Sequence, residues 1–337
     1  MKKVLVATHL DGAQRALVVE RLEGMAEVLF LDRIGEDELQ RVASEIHIVI
    51  RYGGYKPFPD EVFARMEKLE MVQLLCAGTD SVRRTPGLSS DVVCKGASGA
   101  NSAAVAEHAF AFVLASAKRL FERDRSMREG VFDQTEASRS LGESTLAIIG
   151  LGDIGGELAR QAKAFGMTVL GINRRKASKV VVDFIGDLAD LKDVVQRSQF
   201  IALTLPLTEK TRHVISASQL DWMQPDACLV NVGRAELVDE DALFLHLQQH
   251  PRFFACLDVW WSYPALNQEV WRFTERPYRL PFHTLKNVLM TPHCAALAGD
   301  YRRRMLGTAL DGVVAHLRSQ SRWNLHKDEG DRDGSTL

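Results

Sequence analysis

The stretch Leu146-Ala-Ile-Ile-Gly-Leu-Gly-Asp-Ile-Gly155 decides how this chain folds. Its apolar start is typical of a buried strand, and its glycines follow the spacing G-x-G-x-x-G. A helical pattern runs on to Gly166, and a second β-rich run begins directly after it. Glycines between a strand and a helix permit a tight turn, bring the backbone close to a pyrophosphate and let the helix pack on the strand. The stretch therefore predicts a dinucleotide site, with the phosphates at the helix N-terminus.

The residues after the second β-rich run bear on which dinucleotide binds. An NAD site usually carries Asp or Glu about 20 residues after the glycines, where it accepts hydrogen bonds from the ribose 2′-OH. Here the run ends in Asn173, Arg174, Arg175 and Lys176, without a carboxylate. A carboxylate would repel a 2′-phosphate, whereas arginine can hold one with two parallel hydrogen bonds. The sequence favours NADP(H), with NAD(H) as the alternative if these cations only form a solvated turn.

Length and charge limit the class of protein. The 337 residues exceed one typical hydrophobic core and favour two domains. Lys and Arg total 42 against 44 for Asp and Glu, which gives a net charge of -2 and indicates no nucleic-acid or membrane partner. The five cysteines show neither metal-ligand spacing nor a disulfide framework, so we expect no metal site and a reducing cytoplasm.

Two apolar segments are candidates for targeting or membrane insertion. The first follows Met1 and is interrupted by His9 and Asp11, unlike a signal peptide. The second, residues 103–117, contains Glu107 and His108 and predicts a buried helix in which these two are structural groups.

Strand and helix patterns alternate along most of the chain. Alternation of this kind predicts an α/β fold with parallel sheets and helices on both faces. Residues 118–141 read as a loop, residues 295–317 as a helix that returns to the first domain, and residues 321–337 as a disordered tail.

Polar side chains stand where predicted strands end. Arg234 and His293 follow two such strands, and Asp258 lies near the end of a third. Ligands of open α/β sheets bind outside these ends. A cation can bind a substrate carboxylate and polarise a carbonyl, and an imidazole can move a proton while a nicotinamide moves a hydride. The trio predicts a hydride-transfer site.

Six markers, in order, give the chain a family resemblance over residues 70–315. It resembles the D-isomer-specific 2-hydroxyacid dehydrogenases, which include formate, phosphite and 3-phosphoglycerate dehydrogenases. The markers are Val105-Ala-Glu-His108, Gly150-Leu-Gly-Asp-Ile-Gly155, Leu205-Pro-Leu-Thr208 with Thr211-Arg212, Asn231-Val-Gly-Arg-Ala-Glu-Leu-Val-Asp-Glu240, Leu257-Asp-Val259 and Thr291-Pro-His293.

The resemblance implies a role for each site residue. Arg234 binds the carboxylate and carbonyl of a 2-oxo acid, His293 is the acid/base, and Asp258 lies near the nicotinamide. Substrate contacts are expected from Ala77, Gly78, Thr79 and Asn101, and Arg51 is a further candidate anchor because it ends a strand. The expected cofactor contacts are Gly150, Gly152, Asp153, Ile154, Gly155, Asn173, Arg174, Arg175, Leu205, Pro206, Val232 and Asp258.

It also implies an architecture. The fold class is α/β with two doubly wound parallel-sheet domains. Residues 1–98 and 296–320 are expected to form a discontinuous, flavodoxin-like substrate domain, and residues 99–295 a Rossmann dinucleotide-binding domain. The family commonly forms homodimers through the nucleotide domain.

The chain departs from the family at three places. Where the family carries a Glu that pairs with the histidine, or a Gln in formate dehydrogenases, this chain has Tyr263. A phenol can orient an imidazole but cannot stabilise the imidazolium as a carboxylate does. Ala235 stands where the family has Gly. An aromatic group is expected to narrow the pocket: Trp260, Trp261, Trp271, Phe273 and Tyr278.

The sequence thus predicts a cytoplasmic, NADP(H)-preferring reductase of a small 2-oxo acid such as glyoxylate or hydroxypyruvate, with Arg234, His293 and Tyr263 at its site. Asn101 and the Asp258-Val-Trp run support one alternative, a formate dehydrogenase-like activity. The missing Glu supports another, a dinucleotide-sensing binding protein that resembles the family's corepressors.

Overall fold

Two parallel β-sheets, each in its own compact unit, organise the chain. The computed structural model describes residues 1–53, 60–83, 85–174, 176, 180–263 and 276–330, with the backbone alone at residues 60, 81 and 320–330. Among these, residues 1–100 and 300–330 form the first unit, and residues 101–263 and 276–299 form the second.

The first unit holds a five-stranded sheet in the order β2-β1-β3-β4-β5, with every described pair parallel. This is the order of flavodoxin-like doubly wound sheets. The strands are β1 (Lys2–Ala7), β2 (Ala26–Phe30), β3 (Ile46–Arg51), β4 (Met71–Leu74) and β5 (Val93–Lys95). The helices within residues 1–100 are α1 (Gly12–Leu22), α2 (Leu31–Val42) and the single turn α3 (Asp80–Arg83).

The second unit holds a seven-stranded parallel sheet. Its strands are β6 (Thr145–Ile149), β7 (Thr168–Ile172), β8 (Phe184–Gly186), β9 (Phe200–Leu203), β10 (Cys228–Asn231), β11 (Phe254–Leu257) and β12 (Val288–Met290). Its helices are α4 (Ser102–Ala117), α5 (Leu120–Arg128), α6 (Asp153–Ala164), α7 (Leu191–Gln196), α8 (Ala217–Trp222) and α9 (Glu240–Gln249). The order β12-β11-β10-β9-β6-β7-β8 reverses direction between β6 and β9, which makes that gap the switch point where such sheets bind ligands.

Alternation along the central strands places apolar side chains on both faces of each sheet. In β6, Leu146 and Ile148 pack with α4 and α6, while Ala147 and Ile149 pack on the opposite face. The last helix, α10 (Tyr301–Gly330), packs Met305, Leu306 and later apolar residues against the first sheet. Both sheets are therefore covered on two faces, and the predicted α/β class with two doubly wound parallel sheets is confirmed.

Helix α5 lies where the sequence predicts a loop, so the loop prediction for residues 118–141 is wrong in its first part. The run is too polar to show an apolar face. Ion pairs one turn apart, Arg119–Glu122 and Arg128–Asp124, support it instead. The short strands β5 and β8 were also not predicted, since three residues give too little alternation to recognise.

Helix α10 differs from its prediction at both ends. It begins at Tyr301 and not near residue 295, because Gly299 takes a φ of 55° and Asp300 leads into the first turn. It continues to Gly330, whereas the sequence predicts disorder from residue 321. No proline or glycine occurs between Ser319 and Gly330 to end it sooner. Residues 331–337 lie outside the described residues.

Over the described ranges, no helix has the length and apolar character needed to cross a membrane.

Candidate active site

One edge of the second sheet gathers most of the predicted site residues of that unit. Each follows the carboxyl end of a strand, and neighbouring parallel strands bring these ends together. Gly150 follows β6, Asn173 and Arg174 follow β7, Leu205 and Pro206 follow β9, Val232 and Arg234 follow β10, Asp258 follows β11, and His293 follows β12.

The glycine loop has the shape that a pyrophosphate needs. Gly150 has a φ of 113°, and a Cβ there would lie 2.9 Å from the Leu205 amide nitrogen. At Gly155 a Cβ would lie 2.0 Å from the Gly150 carbonyl oxygen. Gly152 faces open space and is the N-cap of α6, and as a glycine it has no side chain to accept hydrogen bonds from the N–H groups of the first turn. Donor groups at a helix start beside open space fit an anionic group, so the loop fits a dinucleotide.

Two neighbouring glycines of α6 give a matched prediction. Gly155→Ala should abolish dinucleotide binding, because its Cβ would overlap the Gly150 carbonyl and push the loop from its turn. Gly156→Ala should bind normally, since its Cβ would meet only Val180 methyl groups at 3.9 Å or more. Fluorescence titration with NADPH and a thermal melt check both variants. Equal binding by the two would contradict the proposed loop geometry.

Part of the positive charge that follows β7 is offset by neighbouring carboxylates. Lys176 Nζ lies 3.0 Å from an Asp187 oxygen and 3.5 Å from an Asp190 oxygen. These carboxylates follow β8, which runs beside β7, and the Asn173 N–H donates to the Gly186 carbonyl. Arg174 is exposed, and Arg175 lies outside the described residues. The segment that follows the unpredicted strand β8 therefore supplies the acidic partners that compensate the charge of Lys176.

Arg234 is held at the end of β10 by its own turn. The buried Asn231 donates from Nδ2 to the Arg234 carbonyl and accepts from the Gly233 N–H, while Arg234 Nη1 donates to the Gly233 carbonyl. The family departure Ala235 is buried and has no positive φ, so alanine fits there without strain. Asn231 thus fixes the backbone of the candidate carboxylate-binding arginine, a role that the sequence alone did not indicate.

Tyr263 contacts the candidate acid/base directly. Its hydroxyl lies 2.8 Å from His293 Nδ1 and accepts a hydrogen bond from the Trp260 N–H at 3.0 Å. With a neutral imidazole the phenol donates to Nδ1, which leaves the ring proton on Nε2. With an imidazolium, Nδ1–H donates to the phenol oxygen. In both states Tyr263 orients the ring and leaves Nε2 for a ligand.

The charges around His293 lower its affinity for a proton. His293 is partly exposed, and loss of hydration where it meets its neighbours is the largest cause that lowers its pKa. The Asp258 carboxylate opposes this change, and the Arg234 guanidinium adds to it. Burial also raises the pKa of Tyr263 to about 12, so the phenol keeps its proton and brings no negative charge to the imidazole. Arg234, Asp258, Tyr263 and His293 therefore act on one another electrostatically.

Asp258 ties down the loop that carries His293. Its carboxylate is 1% exposed and accepts hydrogen bonds from the Thr291 hydroxyl at 2.6 Å, the Cys294 N–H at 2.9 Å and the Ala295 N–H at 3.1 Å. His293 itself has a φ of 53°, an uncommon conformation that persists where the surroundings enforce it. We infer that Asp258 holds the backbone on both sides of the histidine.

The described members of the aromatic group after Asp258 pack within the second unit, and their narrowing of the pocket stays a prediction. Trp260 is buried, donates from Nε1 to the Thr291 carbonyl and meets Tyr278. Trp261 stacks on Phe282 and donates to the Val238 carbonyl. The sequence indicates large side chains here, but it does not indicate these indole hydrogen bonds, which orient both rings. Trp271 and Phe273 lie outside the described residues.

The remaining predicted substrate contacts are placed as follows. Ala77 and Thr79 line a cavity of about 490 Å³ in the first unit. Gly78 accepts a hydrogen bond from the Cys76 thiol. Arg51 is 3% exposed, with its guanidinium carbon 6.0 Å from the centre of the Phe63 ring. In the second unit, Asn101 precedes α4, and its buried Oδ1 finds no hydrogen-bond partner among the described residues. A substrate role stays a prediction for these residues.

Comparison with known proteins gives the family. The model of the D-isomer specific 2-hydroxyacid dehydrogenase NAD binding domain matches residues 110–295. The chain is a member of the D-isomer-specific 2-hydroxyacid dehydrogenases. A glyoxylate reductase of Korarchaeum cryptofilum is 31% identical over 278 residues, which cover 81% of this chain and 80% of that one. A D-3-phosphoglycerate dehydrogenase of Methanocaldococcus jannaschii is also 31% identical, over 88% of this chain but only 54% of its own length.

A solved member of the family has the same fold. The D-isomer specific 2-hydroxyacid dehydrogenase of Xanthobacter autotrophicus Py2, solved in complex with NADPH and MES, is 25% identical with a TM-score of 0.72 over 94% of each chain. The predicted family resemblance is therefore confirmed. As a 2-hydroxyacid dehydrogenase with an NAD-binding domain, the chain uses a nicotinamide dinucleotide.

Proposed function

We propose that this 2-hydroxyacid dehydrogenase reduces a small 2-oxo acid to the D-2-hydroxy acid with a reduced nicotinamide dinucleotide, and catalyses the reverse reaction. One observation carries the proposal: the His293 imidazole, oriented at Nδ1 by the Tyr263 hydroxyl 2.8 Å away, follows a strand of the same sheet edge as Arg234 and the glycine loop. Relatives named glyoxylate reductase and hydroxypyruvate reductase support this substrate class.

The residues of the second unit divide the work of binding. Gly150 and Gly155 permit the tight turn and the close packing of α6, Gly152 leaves room for the pyrophosphate, and the first turn of α6 faces it with N–H donors. Leu205 and Pro206 follow β9, which borders the switch point, and Val232 follows the neighbouring β10; all three are proposed to contact the cofactor. When bound, the nicotinamide supplies the hydride for reduction and accepts it for oxidation.

Arg234 and His293 act on the substrate. The Arg234 guanidinium has the planar geometry that binds a carboxylate with two parallel hydrogen bonds, and its charge polarises the neighbouring carbonyl. His293 Nε2 gives its proton to the carbonyl oxygen during reduction and takes it back during oxidation. Tyr263 orients the ring, and Asp258 holds its loop and offsets part of the effect of Arg234.

The phenol at position 263 gives a pH prediction. Reduction needs His293 protonated, and the pKa of His293 lies below its usual 6.5, so the reductive kcat/KM should fall as pH rises through a value below 6.5. Tyr263→Glu places a carboxylate beside Nδ1, and should raise the pKa of His293 and move this decline upward by about one pH unit or more. Steady-state pH–rate profiles of both proteins measure the shift.

Tyr263→Phe is the matched control. It keeps the ring and loses the hydroxyl that bonds Nδ1. It should lower kcat without moving the decline upward, because it adds no charge. Superimposable profiles for wild type and Tyr263→Glu would show that residue 263 does not act on the imidazole.

We propose a preference for NADP(H) over NAD(H). Arg174, the second residue after β7, is exposed, and Arg175 is the next residue, although Lys176 is paired with Asp187. Arg174→Ala should lower kcat/KM for NADPH by about tenfold and leave that for NADH nearly unchanged, since one charge-assisted hydrogen bond to a phosphate contributes roughly 1.5–3 kcal/mol. Equal loss with both cofactors would remove Arg174 from phosphate recognition.

Architecture beyond the described contacts is proposed on family grounds. We propose that residues 99–295 bind the dinucleotide, that residues 1–98 and 296–320 contribute Ala77, Gly78, Thr79 and Arg51 to the substrate, and that the protein is a cytoplasmic homodimer. Asn101 is proposed as a further substrate contact because its buried amide oxygen has no described hydrogen-bond partner. Light scattering measures the assembly.

The alternatives are less well supported. Formate dehydrogenase-like chemistry is not favoured, because Tyr263 replaces the Gln typical of those enzymes. A dinucleotide sensor needs neither Arg234 nor His293. An absorbance assay separates an enzyme from a sensor. It measures the loss of NADPH or NADH in the presence of glyoxylate, hydroxypyruvate, pyruvate or a phenyl-substituted 2-oxo acid. Tight dinucleotide binding without turnover of any 2-oxo acid would favour the sensor.

A further inference from the structure

A second histidine, His108 of α4, contacts the hydrogen bonds that hold the His293 loop. Its Nε2 lies 3.1 Å from Thr291 Oγ1 and 3.8 Å from Asp258 Oδ1. The edge of its ring packs on Phe112, with ring centres 4.5 Å apart. The sequence suggested only a buried structural group at this position, whereas the structure places it one hydroxyl away from the carboxylate that supports the acid/base.

The direction of the hydrogen bonds follows from the chemistry of the groups. An ionised carboxylate only accepts, so the single proton of the Thr291 hydroxyl points to Asp258, 2.6 Å away. The same hydroxyl, which also meets the Cys294 thiol, must then accept from His108 Nε2, because its own proton is already donated. His108 therefore carries a proton on Nε2, and a directed chain runs from His108 through Thr291 to Asp258.

A metal site is the competing interpretation of this cluster. Ligand atoms of His108, Asp258 and Cys294 lie within 4.8 Å of one another, which is close enough for one ion. However, the Asp258 oxygens already accept from the Thr291 hydroxyl and from the N–H groups of Cys294 and Ala295. His108 Nε2 bears a proton in this arrangement and offers no lone pair. The occupied acceptors favour a hydrogen-bonded chain over a bound cation.

We propose that His108 is a positioning residue for proton transfer at His293 and acts through Thr291 and Asp258. The inference rests on the proposed reductase function. Donated hydrogen bonds polarise one another along a chain, so His108 strengthens the bond from Thr291 to Asp258. That bond helps to hold the left-handed His293 and takes up part of the carboxylate charge. Among the described residues, the charged and titratable groups around His293 are Asp258, Arg234 and Tyr263. Those around His108 are Asp258 and Cys294, whose thiol also hydrogen-bonds with Thr291 and Asp258.

Four variants test the chain by kinetics. His108→Phe keeps an aromatic ring against Phe112 but cannot donate, and Thr291→Val keeps the shape of threonine without its hydroxyl. At a pH below the wild-type decline, where His293 is protonated in every variant, each should lower the reductive kcat by about tenfold, the effect of slightly misplacing a catalytic group, with KM and dinucleotide affinity unchanged. His108→Gln restores an N–H donor and should recover activity to within about threefold of wild type. The double variant should lose no more than the more impaired single variant, because both remove one chain.

A titration that needs no turnover completes the test. In the full-length protein labelled with ¹³C-histidine, NMR should show that the pKa of His293 is raised in both His108→Phe and Thr291→Val. With fewer hydrogen bonds donated to it, the Asp258 carboxylate keeps more of its negative charge and stabilises the imidazolium more strongly. His108→Gln should return the pKa to the wild-type value. An unchanged pKa and kcat in Thr291→Val, or additive losses in the double variant, would overturn the proposal. So would loss of wild-type activity to a chelator with recovery in Zn²⁺, which would make the cluster a metal site.

The two proposals fail in distinguishable ways. If the wild-type protein turns over no 2-oxo acid, the proposed function fails, and the NMR titration still measures the coupling of His108 to His293. If the wild-type protein is active and the His108→Phe and Thr291→Val variants match it in both readouts, only the positioning role fails.

Discussion

His293→Asn should lower the reductive kcat by about 10²- to 10⁴-fold, the usual contribution of a positioned general acid. The loss follows because Nε2 is the proposed proton donor and asparagine cannot be protonated at neutral pH. Asparagine is the sharpest substitution at this position. His293 has a φ of 53°, and asparagine tolerates the left-handed region where alanine would be strained. The loop tied to Asp258 should therefore keep its shape.

Two controls separate lost chemistry from lost structure. NADPH affinity measured by fluorescence should stay within about twofold of wild type, since His293 is proposed to act on the substrate. The remaining activity should no longer decline with rising pH in the range where wild type does, because the titrating group is gone. Retention of more than about a tenth of the wild-type kcat would remove His293 as the general acid.

Arg234→Gln should lower kcat/KM for a 2-oxo acid by about 10²- to 10⁴-fold. Two charge-assisted hydrogen bonds, each worth roughly 1.5–3 kcal/mol, are lost, and each 1.36 kcal/mol corresponds to a tenfold change in rate. Asn231 should still hold the turn, because it bonds the backbone of residues 233 and 234 and not the side chain. Removing the guanidinium should also raise the pKa of His293, since its charge lowers that pKa.

Arg234→Lys and a second substrate give the controls. Lysine keeps the charge without the planar fork, so its loss should be smaller than that of glutamine. With an uncharged 2-oxo aldehyde, which has no carboxylate to bind, the Arg234→Gln variant should lose far less than with the acid. Equal losses on both substrates would show that Arg234 does not recognise the carboxylate.

The fold and the centre of the site can be predicted from the sequence because each depends on a local residue pattern. The glycine spacing between β6 and α6 gives the nucleotide loop, and strand ends give Arg234 and His293. Contacts between segments that are distant in the chain cannot be predicted in this way. Strand β8 is too short to recognise in the sequence, yet it brings Asp187 to Lys176. This ion pair weakens the interpretation of the whole basic turn as a site for the 2′-phosphate.

The surroundings of His293 show the same limit in more detail. His108, Asp258 and Thr291 are far apart along the chain and meet only after β11, β12 and α4 have packed. The sequence shows Trp260 only as a large apolar side chain. In the structure its backbone N–H donates to the Tyr263 hydroxyl, and its indole N–H donates to the Thr291 carbonyl. Hydrogen bonds of this kind have a direction that hydrophobic periodicity does not encode.

Deuterium transfer tests the central claim most directly. The protein is incubated with hydroxypyruvate and NADPH carrying deuterium at the transferable position of the nicotinamide, and with the NADH counterpart. We expect the product to be the D-2-hydroxy acid with deuterium at C2, formed faster from NADPH, and absent with His293→Asn on the same time scale. An unlabelled product, an L-configured product or no product from either cofactor would contradict the proposed reduction.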